Sequence, residues 1–129
     1  MSKLRTLPQP ILSLDLKHNL IRVHKITLTI LGNPEYIQLL VNPDDKSIVI
    51  MESISTDHLA HHVSYEKLKS GQSFELYSTI LLENLKSISS QCNQKKMYRI
   101  YGKFHPNYKI VRFSINDVIA YNAERGIHE

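Results

Sequence analysis

The residues best suited to do chemistry are cations. Between Cys92 and Ile115 the chain carries six Lys or Arg and no acid. Arg99, Lys103, Lys109 and Arg112 are interleaved with Tyr98, Tyr101, Phe104 and Tyr108. Cations contact phosphates, and a neighbouring ring packs on a sugar or stacks on an unpaired base. Side chains alternate along a strand, so Arg99, Tyr101 and Lys103 share one side. Lys95 and Lys96 add charge in the preceding loop, and Arg22 with Lys25 forms a matching patch in the other half. The set predicts a nucleic-acid-binding surface. Two alternatives stand beside it. One is a solvated basic edge that discourages sheet-to-sheet aggregation. The other is an aromatic hairpin that docks a partner protein by edge pairing.

A second cluster is "DHLAHH", residues 57–62. On a helix His58 and His62 stand four apart, as do Asp57 and His61, a spacing that places imidazoles around one metal. No H-E-x-x-H pattern accompanies it, and no distant ligand is identifiable to complete three or four. The expectation is a polar connector with His58, His61 and His62 facing water, and no metal. No phosphate-binding glycine loop, G-x-S-x-G or zinc ribbon occurs. Cys92 is the only cysteine, which excludes an intramolecular disulfide framework. No cofactor is implied, and the reading is non-catalytic.

Charge is segregated. Residues 1–34 carry +4, residues 35–91 carry −4, residues 92–115 carry +6 and residues 116–129 carry −2. A separated basic block attracts a polyanion even at a modest total of +4. No apolar run approaches the ~20 residues of a membrane helix. The opening MSKLRTLPQP lacks the apolar stretch of a secretory signal. These features predict a cytoplasmic protein without membrane contact.

The elements that must hold the cations are strands. Residues 1–13 read as a flexible basic arm. "LIRVHK" alternates like a strand. "ITLTIL" ends at Gly32-Asn33-Pro34, a helix stop, although its β-branched residues leave strand as an alternative. "EYIQLLV" and "KSIVIM" flank the turn cluster Asn42-Pro43-Asp44-Asp45 and form a hairpin. Residues 52–70 form a polar connector with room for one helical turn. "QSFELY" alternates, Ser78 caps a helix with a Leu81–Leu85–Ile88 stripe, and 97–104 with 108–115 forms a second hairpin. Asn116 caps a short C-terminal helix.

"NPDDKSIVI" begins at Asn42 and "HPNYKIVRF" at His105, 63 residues later. The repeat extends to a β-α-β-β unit, residues 14–51 and again 71–115, with 116–129 as helix and tail. The first hairpin is apolar on both faces, so it must be clasped between partners. The expected fold is α+β, two tandem β-α-β-β units interlocked in a small barrel that removes most sheet edges.

The unit, with Gly after its short helix, resembles the swapped-hairpin family of AbrB- and MraZ-type DNA-binding proteins. That pattern opens Asp-x-Lys-Gly-Arg, then strand, helix and Leu-Gly. Here Asp15, Lys17, Leu31 and Gly32 match, whereas His18 and Asn19 occupy the Gly and Arg positions. In the second repeat Gly71-Gln72 falls where Gly-Arg would sit. The resemblance implies a bacterial or phage transcriptional regulator that binds duplex DNA and forms a homo-oligomer.

Overall fold

Residues 9–71, 73–88 and 97–121 are described by a computed structural model. In chain order they form β1 (Ile11–Asp15), β2 (Leu20–His24), α1 (Lys25–Ile30), β3 (Tyr36–Asn42), β4 (Ser47–Glu52), β5 (His61–His62), α2 (Tyr65–Gly71) and β6 (Ser73–Tyr77). There follow α3 (Thr79–Ile88), β7 (Met97–Tyr101), β8 (Lys103–His105), β9 (Ile110–Ser114), a 3-10 turn (Ile115–Asp117) and β10 (Ile119–Tyr121). The fold is α+β. Antiparallel ladders build two five-stranded sheets, β10-β7-β1-β2-β6 and β5-β3-β4-β9-β8.

Three hairpins use one turn design. Asp15 pairs with Leu20, Asn42 with Ser47 and His105 with Ile110, so four residues close each hairpin. The fourth is left-handed every time: Asn19 (φ 54°), Lys46 (φ 55°) and Lys109 (φ 54°). Asn tolerates that region, whereas Lys enters it at a cost. Asp15 fastens the first turn by accepting hydrogen bonds from the His18 backbone N–H (3.2 Å) and Nδ1 (2.8 Å). Asn42 does the same in the second, accepting from the Asp44 N–H at 2.9 Å.

The second and third hairpins also share a register. Moving the β3–β4 ladder forward by 63 positions carries Asn42–Ser47 onto His105–Ile110 and Val41–Ile48 onto Phe104–Val111. The hairpins lie side by side through β4 and β9, where Val49 pairs with Arg112, its own counterpart under the same shift.

α1 ends as its residues dictate. Gly32, at φ 90°, lets its N–H reach the Thr29 carbonyl and the Asn33 N–H reach that of Leu28. This paired closure satisfies carbonyls the helix leaves open. In α3 the Ser78 Oγ accepts from the Leu81 N–H at 3.2 Å. Leu85 of α3 is fully buried and Leu81 packs on the core at half burial, as the predicted stripe has them, and the fully buried Leu82 joins them; the side chain of Ile88 lies outside the described residues. Both sheets turn their apolar faces to one core of Leu12, Leu14, Ile21, Ile48, Ile50, Ile100, Val111 and Phe113. Each such side chain contributes roughly 1.5–3 kcal/mol on burial.

Four expectations are corrected. Residues 11–13, read as part of a flexible arm, begin β1, which pairs with β2 on one side and β7 on the other. Two nearby prolines obscured the alternation of Ile11-Leu12-Ser13-Leu14. The connector 52–70 contains β5 and most of α2. Residues 97–104 are not one strand of a hairpin: they break at Gly102, β7 joining the first sheet and β8 the second. The helix from Asn116 is a single 3-10 turn, because Ile119–Tyr121 pairs with β7 instead. Residues 122–129 lie outside the described residues.

Candidate nucleic-acid interface

The basic strand passes from one sheet to the other. Tyr98, Ile100 and Gly102 are buried, Phe104 packs on the core, and Tyr101 and Lys103 are exposed. Tyr101 and Lys103 therefore project outward on either side of the break, whereas Arg99, on the same alternation, is half-buried with its Nε enclosed. Gly102 makes the crossing possible. A Cβ there would meet the Phe113 ring at 2.6 Å and the Arg112 carbonyl oxygen at 3.0 Å. Its N–H donates to the Pro10 carbonyl at 2.9 Å, tying the crossover to the residue before β1.

Lys103 stands directly opposite Arg112 in the β8–β9 ladder. The row continues through Val49 to Leu40, so the outward face of this sheet is cationic at one side and apolar at the other. Like charges facing each other across strands are unfavourable. Asp45 relieves part of that repulsion: its Oδ2 accepts from the Arg112 Nε at 3.2 Å. The Ser47 hydroxyl, donating to Asp45 Oδ1 at 2.6 Å, and then Arg112 hold the Asp45 carboxyl below its ordinary range. Lys109 is exposed in the turn, beside Tyr108, which is 77% exposed. Tyr101 is 37% exposed. The His105 Nε2 on the outward side of β8 is enclosed and has no hydrogen-bond partner among the described residues.

Arg22 and Arg99 belong to the other sheet. Both pair in register with Ser13, one from each side. Arg22 donates through Nε to Glu75 Oε2 at 3.1 Å, a contact across the β2–β6 seam. His24 hydrogen-bonds Ser13 Oγ through Nε2 at 2.8 Å. Burial, and then the nearby Arg99 and Arg22 guanidiniums, push the His24 pKa below its usual value. Lys25 is exposed at the first position of α1.

The predicted cations thus fall into two groups: Lys103, Lys109 and Arg112 on the β8–β9 hairpin, and Arg22 with Arg99 on the first sheet. Tyr101 lies where β7 leads from one to the other. Lys95, Lys96 and Cys92 lie outside the described residues. The sequence reading missed Asp45 and Glu75, the carboxylates occupying Arg112 and Arg22. No sequence signal marks either contact, since each joins residues from opposite halves of the chain.

The histidine cluster is not helical. Asp57 organises a turn, its Oδ1 accepting from the Leu59 N–H at 2.9 Å, and His61 and His62 then enter β5 on opposite faces. His62 lies against the Tyr36 ring, with centroids 5.1 Å apart, and 3.8 Å from Glu35 Oε2. Partial burial lowers the His61 pKa. Among the described residues no three His, Cys, Asp or Glu gather as a metal site, and no helix is long and apolar enough to cross a membrane. No family model, curated protein or solved structure matches the chain.

Proposed function

We propose that this chain is a non-catalytic nucleic-acid-binding protein, a DNA-binding regulator of the swapped-hairpin type. The single observation that carries the reading is Lys103 facing Arg112 on the outward side of a hairpin whose turn adds Lys109. Such a concentration of like charge is an electrostatic cost that a polyanion would remove. The resemblance of Asp15, Lys17, Leu31 and Gly32 to the family pattern supports the same class.

In this reading the two β-α-β-β stretches are copies that interlock, and the protein self-associates. The shared 63-residue shift of the two hairpins supports the duplication. The contacts would come from Lys95, Lys96, Arg99, Lys103, Lys109 and Arg112, with Arg22 and Lys25 as a second patch. Five or six phosphate contacts give a log–log salt slope of about −5. Titration of labelled DNA at about 50 mM and about 200 mM salt tests this. No binding at the lower salt would end the proposal.

A second reading has its own observation: β8 is an edge strand of its sheet. A partner protein could add a strand there. Replacing Arg99 and Lys103 by Ala separates the two, weakening nucleic-acid binding while docking through the β8 backbone and Tyr101 largely persists.

A further inference from the structure

Two tyrosines accompany the charges of the β8–β9 hairpin, one at the end of β7 in the other sheet and one in the hairpin's own turn. Tyr101 immediately precedes the Gly102 crossover, and Tyr108 stands at the turn between His105 and Lys109. Both residues reach solvent, Tyr108 far more than Tyr101. A buried tyrosine is held by packing and by its hydroxyl. Tyr108 is held by neither and Tyr101, 37% exposed, only in part by packing; along the chain the two bracket Lys103, which pairs with Arg112.

Duplex DNA keeps its bases stacked on one another, so an exposed ring gains little from it beyond contact with sugar. A single strand offers unpaired bases, each with a face that stacks on an aromatic side chain, while its phosphates follow a cationic track. Cations between two exposed rings on a sheet surface match that ligand. We infer that the hairpin binds single-stranded nucleic acid, with Tyr101 and Tyr108 as stacking platforms and Lys103, Lys109 and Arg112 as phosphate contacts. The inference rests on the nucleic-acid reading above and puts a single strand where the swapped-hairpin resemblance implies a duplex.

The full chain is titrated with labelled oligothymidylate and oligouridylate of about 16 nucleotides, and with a mixed-sequence duplex of equal length. Tighter binding of the single strands is expected. Tyr108→Ala should weaken single-strand binding about five- to hundredfold and leave the duplex nearly unchanged. Tyr108 is in a turn, so its truncation spares the core. Tyr101→Phe should keep the affinity, and Tyr101→Leu should lose it, because only Phe retains an aromatic face. Equal or tighter duplex binding with no dependence on the tyrosines would overturn the inference and leave nucleic-acid binding standing. Single-strand binding indifferent to both tyrosines would also overturn it. Failure of all three probes to bind would overturn the underlying reading as well.

Discussion

Gly102 and Phe113 occupy space that only a glycine leaves open: a Cβ at 102 would stand 2.6 Å from both Cδ2 and Cε2 of the ring. Phe113 is fully buried, so it has little freedom to retreat. Gly102→Ala should cost about 1–3 kcal/mol by overpacking, read as a lower urea midpoint. Combining it with Phe113→Leu should return part of that loss, a favourable coupling of about 1 kcal/mol in a double-mutant cycle. Additive losses would contradict the contact.

Asp45→Asn should strengthen polyanion binding about two- to fivefold, because it frees the Arg112 guanidinium and removes a negative charge beside it. Its lowered pKa also has a stability sign. The folded carboxyl holds its proton less tightly than the unfolded one, so the contribution is full above the unfolded value. It is lost as pH falls through the folded one. Asp45→Asn should flatten the acid limb of a stability–pH curve below about pH 4. An unchanged limb and an unchanged affinity would argue against the pair.

His24 titrates in the same direction from a higher starting point. Its folded pKa lies below about 6.5, the unfolded value, so the unfolded chain takes up the proton first. Stability should be full above about pH 6.5 and decline as pH falls toward the folded pKa. His61 adds to the same trend. His24→Gln, measured by urea unfolding across that range, should reduce the slope and leave the His61 share.

The Tyr65 hydroxyl donates to the Pro34 carbonyl at 2.6 Å and ties α2 to the loop after α1. Burial, with Glu52 nearby, pushes its pKa up to about 12. An ultraviolet titration should show a late tyrosine contribution, ionising toward pH 12. Tyr65→Phe should abolish that late step and cost about 0.5–1.5 kcal/mol.

Lys46 and Lys109 form a matched pair of left-handed lysines in equivalent turns. Changing either to Gly removes the steric cost, so stability should hold or rise by up to about 1 kcal/mol. Only Lys109→Gly should weaken nucleic-acid binding, since Lys46 sits beside Asp44 and Asp45. Equal effects of the two changes on binding would remove the β8–β9 turn from the interface.

Local signals made much of this fold legible in the residues. Gly32-Asn33-Pro34 announced the end of α1, Ser78 the start of α3, and the two Pro-containing turns their hairpins. Several of the misses were decided by partners distant in sequence. β1 became a strand because β2 and β7 flank it, not because its own pattern is strong. Ile119–Tyr121 became a strand because the edge of β7 was open to it. At the interface, the alternation of Arg99, Tyr101 and Lys103 followed from strand geometry alone. Their division between two sheets depended on Gly102, whose role is visible only once Phe113 is seen beneath it.

The pairing of Leu12 with Ile100 has a kinetic side. A strand near the start of the chain must wait for one made more than eighty residues later, so folding cannot finish while most of the polypeptide is still being synthesised. Such distant closure slows the search and leaves sticky, half-paired ribbons exposed during translation. Ribosome-bound chains ending before Met97 should be strong clients for chaperones, and release from them should coincide with the arrival of that late strand.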